Sequence, residues 1–110
     1  MTQQELENEI QSMIAEVDSF SADISELLGT DLMAQEKRIQ ENYDSISAMC
    51  EENMRVTAYI IIDMLLLDGE DMMVSSEGRR VLLSDWVREN MTYMHWLFNK
   101  ILTVGSKKDE

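Results

Sequence analysis

Proline is absent from the 110 residues, glycine occurs four times, and there is one cysteine, Cys50, and one histidine, His95. A β-sandwich needs frequent turns, so the lack of both turn formers argues against it and favours a few long helices with short connections. One cysteine cannot form an intramolecular disulfide, and one Cys with one His cannot make a zinc site without several carboxylates. Bases are scarce: 9 Lys and Arg stand against 22 Asp and Glu, for a net charge of −13. A nucleic-acid backbone or an anionic membrane surface is therefore not expected as a direct partner. No charged leader precedes an apolar segment at the N-terminus, so a cytoplasmic location is the expectation.

What is present is an uneven distribution of charge. Residues 1–36 hold nine acids (Glu5, Glu7, Glu9, Glu16, Asp18, Asp23, Glu26, Asp31, Glu36) and no base, whereas the remaining 74 carry 13 acids and 9 bases. Such a face keeps a protein soluble. The chain is long enough for one domain, residues 1–110, with one core. Its central stretch is Val56 to Leu67, VTAYIIIDMLLL, apolar on every side of a helix. At twelve residues, with Asp63 inside it, the run is far short of the ~20 that cross a bilayer, so membrane insertion is not expected. A helix that is hydrophobic all round must be covered by protein, from this chain or with help from a second copy.

Thr2 and Glu5 form a T-x-x-E capping box that opens a helix over about 3–28. Leu6, Ile10, Met13, Val17, Phe20, Ile24 and Leu27 recur at alternating steps of four and three, a heptad seam. Ile10, Val17 and Ile24 hold one core position, and the longer side chains hold the other. This is the preference of a parallel dimer, and the same row also suits an antiparallel bundle within one chain. Either arrangement marks the seven residues as a partner or self-association seam. Gly29 is the expected left-handed cap, with Thr30 or Asp31 restarting the chain.

A second helix is expected over 31–68, on the order of 55 Å long at ~1.5 Å per residue. Its stripe is Leu32, Ile39, Tyr43, Ile46 and Cys50, with polar Asn53 and Thr57 continuing the heptad, where such residues set register. Residues 68–77 read as an acidic, solvated turn. A third helix follows over 78–104, facing inward through Leu83, Trp86, Val87, Asn90, Met94, Leu97, Phe98, Ile101 and Val104, with Gly105 as its stop. The whole is an all-α fold: a three-helix bundle or long helical hairpin with a coiled-coil-like seam, expected to form a homodimer.

Arg88, followed by a polar residue and seven positions later by His95, resembles the RNA-cleaving motif of the HEPN family over eight residues. The resemblance implies a small helical protein with a composite site across a dimer, His95 as general base and Arg88 as phosphate clamp. The net charge is a poor match to an RNA substrate. No carboxylate stands at Glu-x-x-His spacing from His95, since Thr92 occupies that position. Cys50 lies on an apolar stripe, where a small hydrophobe is expected. No catalytic residue, metal or cofactor is therefore expected.

Methionine is abundant, 10 of 110 residues. Its flexible thioether suits surfaces that accept irregular partners, and Met72, Met73 and the off-stripe Trp96 are the candidate groove or contact residues. In size, acidity and helical seam the chain resembles the small chaperones of bacterial secretion systems. The leading expectation is thus a non-enzymatic interaction module, an adaptor or secretion-type chaperone that shields a partner protein's amphipathic helix. A nucleic-acid mimic that blocks a DNA- or RNA-binding protein is the alternative, and a HEPN-like ribonuclease ranks third. Asp63 within the central run is expected to pair with Arg79 or Arg80 if it is buried, or else to mark the one exposed edge of that helix and need no partner.

Overall fold

The computed structural model describes the backbone of residues 1–108 and the side chains of residues 1–105. Helix α1 spans Gln3–Leu28. Thr2 Oγ1 accepts from the Glu5 backbone N–H at 3.1 Å, the N-cap half of the expected capping box, and donates to Glu5 Oε1 at 3.1 Å, so the Glu5 carboxylate meets the Thr2 hydroxyl in place of the Thr2 backbone N–H. Gly29 ends the helix at φ 71° and ψ −176°. That backbone region is open essentially to glycine alone and differs from the expected left-handed cap in ψ. Arg38 Nη1 donates to the Leu27 carbonyl at 3.2 Å, satisfying one of the acceptors that a helix end leaves unpaired.

The expected helix over 31–68 is broken. Asp31 accepts from the Met33 N–H at 3.0 Å and caps a 3₁₀ turn, Leu32–Ala34, before α2, Gln35–Glu41, and α3, Tyr43–Leu67. Between α2 and α3 stands Asn42, at φ −117° and ψ 25°. Its side-chain amide donates at 3.0 Å to the Arg38 carbonyl that its own backbone N–H also uses. Such competition for backbone acceptors is why asparagine disrupts helix interiors. Ile39 and Ile46, on either side of the break, are both buried in one cluster, so the apolar stripe passes through it undisturbed. Helix α3 ends at Asp68, which takes the left-handed conformation while Asp68 and Gly69 donate to the Leu65 and Met64 carbonyls, a Schellman closure.

The turn expected over 68–77 is instead largely a hairpin. Strand β1, Met73–Ser76, pairs antiparallel with β2, Arg79–Leu82, in the register Val74 to Val81 and Ser76 to Arg79. Glu77 and Gly78 between them both have positive φ, 51° and 78°. A two-residue loop of that kind matches the natural twist of the strands. The outward edge of β1 is closed by Gln11 of α1, whose amide donates to the Ser75 carbonyl at 2.7 Å and accepts from its N–H at 2.9 Å. The fold is therefore mostly helical with a small two-stranded sheet.

Helix α4, Leu83–Lys108, begins five residues later than expected and runs through Gly105. A Cβ there would lie 2.9 Å from Tyr43 Oη, so this glycine allows close packing at the start of α3 and stops nothing. Helix α1 runs antiparallel to α3. Ile10, Ile14 and Val17 join Val56, Ile60, Met64, Leu83 and Trp86 in one core cluster beside the hairpin. Ile24 and Leu28 join Ile39, Ile46, Cys50, Leu97 and Ile101 in another, beside α2. Of the two arrangements that the α1 seam allows, the chain thus forms the antiparallel one within itself. Among the described residues no helix is long and apolar enough to cross a membrane.

Candidate functional site

Helix α3 buries Val56, Thr57, Ile60, Asp63 and Met64. Tyr59, Ile62, Leu65 and Leu66 are exposed, Leu66 by 69%. Of the two coverings expected for the central run, this chain alone supplies only a partial one. Three elements pack on one arc of α3, and the opposite arc is left bare.

On one flank of that bare arc, α3 and α4 diverge to leave a cleft of about 340 Å³. Met54, Thr57, Ala58 and Ile61 line it from α3, and Asn90, Met91, Met94, His95 and Phe98 from α4. Residues one helical turn apart supply each wall, which makes the cleft a straight trough between two antiparallel rows. It contains no acid, in a chain with 22 of them. Leu65 and Ile62 extend the apolar wall upward along α3, and Leu102 lies one turn beyond Phe98 on α4. The floor is polar and tightly bonded. Asn90 Nδ2 donates to Asn53 Oδ1 at 3.0 Å and to Thr57 Oγ1 at 2.9 Å, and Asn53 Nδ2 reaches Ser21 Oγ of α1 at 3.2 Å. These bonds join α1, α3 and α4 at one level and fix their register, the role that the seam positions of Asn53 and Thr57 suggest.

Asp63 lies on the other flank of α3, only 8% exposed, with Oδ2 lacking any hydrogen-bond partner. No ion pair among the described residues joins it to Arg79 or Arg80, which are exposed on β2. Its ionisable neighbour is another acid, Glu9 of α1. Hydrogen bonding to Asp63, the charge of Asp63 and a smaller desolvation effect hold the Glu9 carboxyl above its ordinary value. The expected arginine partner is thus replaced by a carboxyl pair. Nearby, Arg55 grips Glu52 in a two-point bond, at 2.7 Å between Nη2 and Oε2, and lies 5.9 Å from the Tyr59 ring centre. That bond holds Glu52 below its ordinary value.

The seam residues Ile10, Val17 and Ile24 are fully buried inside the chain, and Leu6, Met13, Phe20 and Leu27 are half-buried along its edge. Met72 packs against the core beneath the hairpin and Met73 is exposed on β1, whereas Trp96 stacks on Tyr93 at 6.0 Å, with Lys100 above it. These three belong to separate parts of the surface, and none lines the cleft. The methionines that do so are Met54, Met91 and Met94, of which Met94 stands on the expected inward row of the last helix and is buried. Arg88 is bound to Asp85 at 3.6 Å and His95 stands 3.3 Å from Asn99 Nδ2. Burial, with a smaller push from Glu51, holds the Cys50 thiol above its ordinary value, which makes it a poor nucleophile. No group of three or more His, Cys, Asp or Glu side chains suited to a metal occurs among the described residues. No family model matches the chain, and no curated protein or solved structure matches it.

Proposed function

We propose that the protein is a non-enzymatic interaction module, an adaptor or chaperone, whose α3–α4 cleft receives an amphipathic helix of another protein. The observation that carries this reading is the acid-free trough between two antiparallel helices, continuous with exposed Ile62 and Leu65. A helix laid in such a trough buries its own row at i, i+3, i+4 and i+7, the usual mode of helix-in-groove recognition. Each large anchor so buried contributes about 1.5–3 kcal/mol before the cost of association. The three methionines in its walls adapt to differing anchors, as expected of a shielding protein with more than one client. A second copy of the chain is a less favourable occupant, because it brings a further −13 of charge to the same contact.

Ala58→Glu tests the reading, since this residue is exposed in the middle of the cleft. A partner captured from the source cells should stay bound to the unmodified chain at about 0.5 M salt, where exposed charge contacts are screened. The variant, with unchanged helicity, should lose it. A partner that leaves both proteins as salt rises would point to the acidic face of α1 and to mimicry of a nucleic acid.

A further inference from the structure

The hairpin has one edge closed and one open. Ser76 and Arg79 face each other across the two-residue loop, and the Leu83 N–H donates to the Met72 carbonyl at 2.8 Å. That phase turns the backbone groups of Arg79 and Val81 toward β1 and those of Arg80 and Leu82 away from it. Among the described residues the sheet has two strands, and both Arg80 and Leu82 are exposed. On β1 the outward groups of Ser75, opposite Arg80, are taken by Gln11. On β2 nothing among the described residues bonds those of Arg80 or Leu82.

Beneath β2, on the side of α4 away from the cleft, lies a pocket of about 170 Å³, with room for one long side chain. Arg79 and Val81 line it from the inward face of β2, and Trp86 and Tyr93 give it an aromatic wall. Asp18, Glu77 and Glu89 set three acids there against one base. Glu77 and Glu89 make no ion pair among the described residues. Asn90, which borders this pocket as well as the cleft, is nine-tenths buried. Its Nδ2 is committed to Asn53 and Thr57, while its Oδ1 accepts no hydrogen bond among the described residues. Successive residues of a strand point to opposite faces, so a strand laid along Arg80 and Leu82 sends every second side chain inward, toward this pocket. Exposed Met73 and Leu82 offer apolar contact to the side chains between.

We propose that the open edge of β2 accepts an extended segment of another protein, which adds a third strand to the hairpin and sets a lysine or arginine into the pocket. The backbone of Arg80 and Leu82 supplies the pairing, and the pocket supplies the choice of side chain, the division of labour usual in strand addition. The stem of the basic side chain lies against Trp86 and Tyr93, and its head donates to Glu89. A second copy of β2 is a poor occupant, because it would set Arg79 and Arg80 against their own counterparts on facing strands. This surface is separate from the α3–α4 cleft and does not rest on that reading.

The experiment uses two short labelled peptides of alternating threonine and valine, identical except for a central lysine in one and a central glutamate in the other. Their binding to the full chain is measured by anisotropy at about 0.15 M salt, where long-range attraction to an acidic chain is screened. The lysine peptide should bind at least about tenfold more tightly than the glutamate peptide. Glu89→Gln should narrow that gap, whereas Glu26→Gln, which removes the same charge from the far end of α1, should not. Arg80→Pro removes an outward N–H without touching the bonds to β1, and it should weaken the lysine peptide about tenfold. N-methylation of alternate amides in the lysine peptide should abolish binding to the unmodified chain, because strand pairing needs those N–H groups. Ala58→Glu should change nothing here, since it alters the cleft only. Circular dichroism verifies that each variant is folded, and the methylated peptide tests the pairing even if Arg80→Pro is not. The proposal is overturned by no binding of either peptide, by equal affinities, by undiminished binding of the methylated peptide, or by a lysine preference that Glu89→Gln leaves intact. A dimer of the unmodified chain that Arg80→Pro dissociates would also overturn it, by assigning the edge to a second copy.

Discussion

The two halves of the fold, on either side of the Asn53–Thr57–Asn90 layer, hold together by different means. The hairpin half is tied by directional bonds between elements distant in sequence. Ser76 Oγ donates to Asp18 Oδ2 at 2.7 Å, Trp86 Nε1 lies 3.1 Å from Ser76 Oγ and 3.3 Å from Asp18 Oδ1, and Gln11 holds Ser75. The α2 half centres on close packing of Ile24, Ile39, Ile46, Leu97 and Ile101, with Cys50 Sγ 3.8 Å from Met94 Sδ. Hydrogen bonds specify one geometry, whereas apolar packing tolerates small shifts at modest cost. Both halves bury an apolar cluster, and the hairpin half adds to its cluster the directional bonds that set register. The polar layer between them transmits the register from one half to the other.

The largest expected effect comes from Ile24→Asp, which places a charge at a fully buried position of the α2 half. An unpaired buried carboxylate costs roughly 3 kcal/mol or more, so urea unfolding should show loss of the cooperative fold. A variant that stays helical while sedimentation shows its mass halved would reassign the α1 row to a contact between subunits. Asn90→Leu is expected to cost about 2 kcal/mol, because it leaves Asn53 Oδ1 and Thr57 Oγ1 without their cross-helix donor. Its more telling effect is on coupling. Cys50 alkylation, which reports opening of the α2 half, should quicken more than amide exchange in the hairpin half. Equal acceleration in both would show that the layer does not divide them.

The smallest effect has the opposite sign. Asp63→Asn removes an unpartnered buried charge and should raise stability at neutral pH by on the order of 1 kcal/mol. Because Asp63 holds the Glu9 carboxyl above its ordinary value, the folded chain takes up a proton at a pH where the unfolded chain has not. The resulting stability is fully present below the ordinary glutamate value and is lost as pH rises through the raised one. The urea midpoint should accordingly fall as pH rises across that window, and Glu9→Gln should flatten the slope.

Much of the helical frame was legible in the residues themselves. The bounds of α1 follow from Thr2, Glu5 and Gly29, which act locally, and the inward row of α4 follows from strict spacing except at Phe98, which is exposed along the cleft. The break at Asn42 was hidden because Ile39 and Ile46 keep the apolar stripe in phase across it. The hairpin was hidden because its strands have four residues each and its turn is Glu-Gly, which lacks the Asn or Asp that usually marks such a loop. Gly105 carried a stop signal that tertiary packing against Tyr43 overrides. The cleft was half legible: the methionine excess indicated an adaptable surface, but the residues that build it come from two helices whose relative rotation only the packed structure defines. The Glu9–Asp63 pair could not be foreseen, since the ordinary rule for a buried acid is a base beside it.

The grip of Gln11 on Ser75 has a consequence for the chain during its synthesis. A newly made α1 leaves the ribosome with its apolar row complete, yet the backbone groups that fix its position lie 64 residues further on. Until β1 is made, the bond from Asn53 Nδ2 to Ser21 Oγ is the nearer polar tie on the register of α1. Once Ser75 is available, Gln11 adds a tie to that register and occupies the strand edge that another chain would otherwise extend.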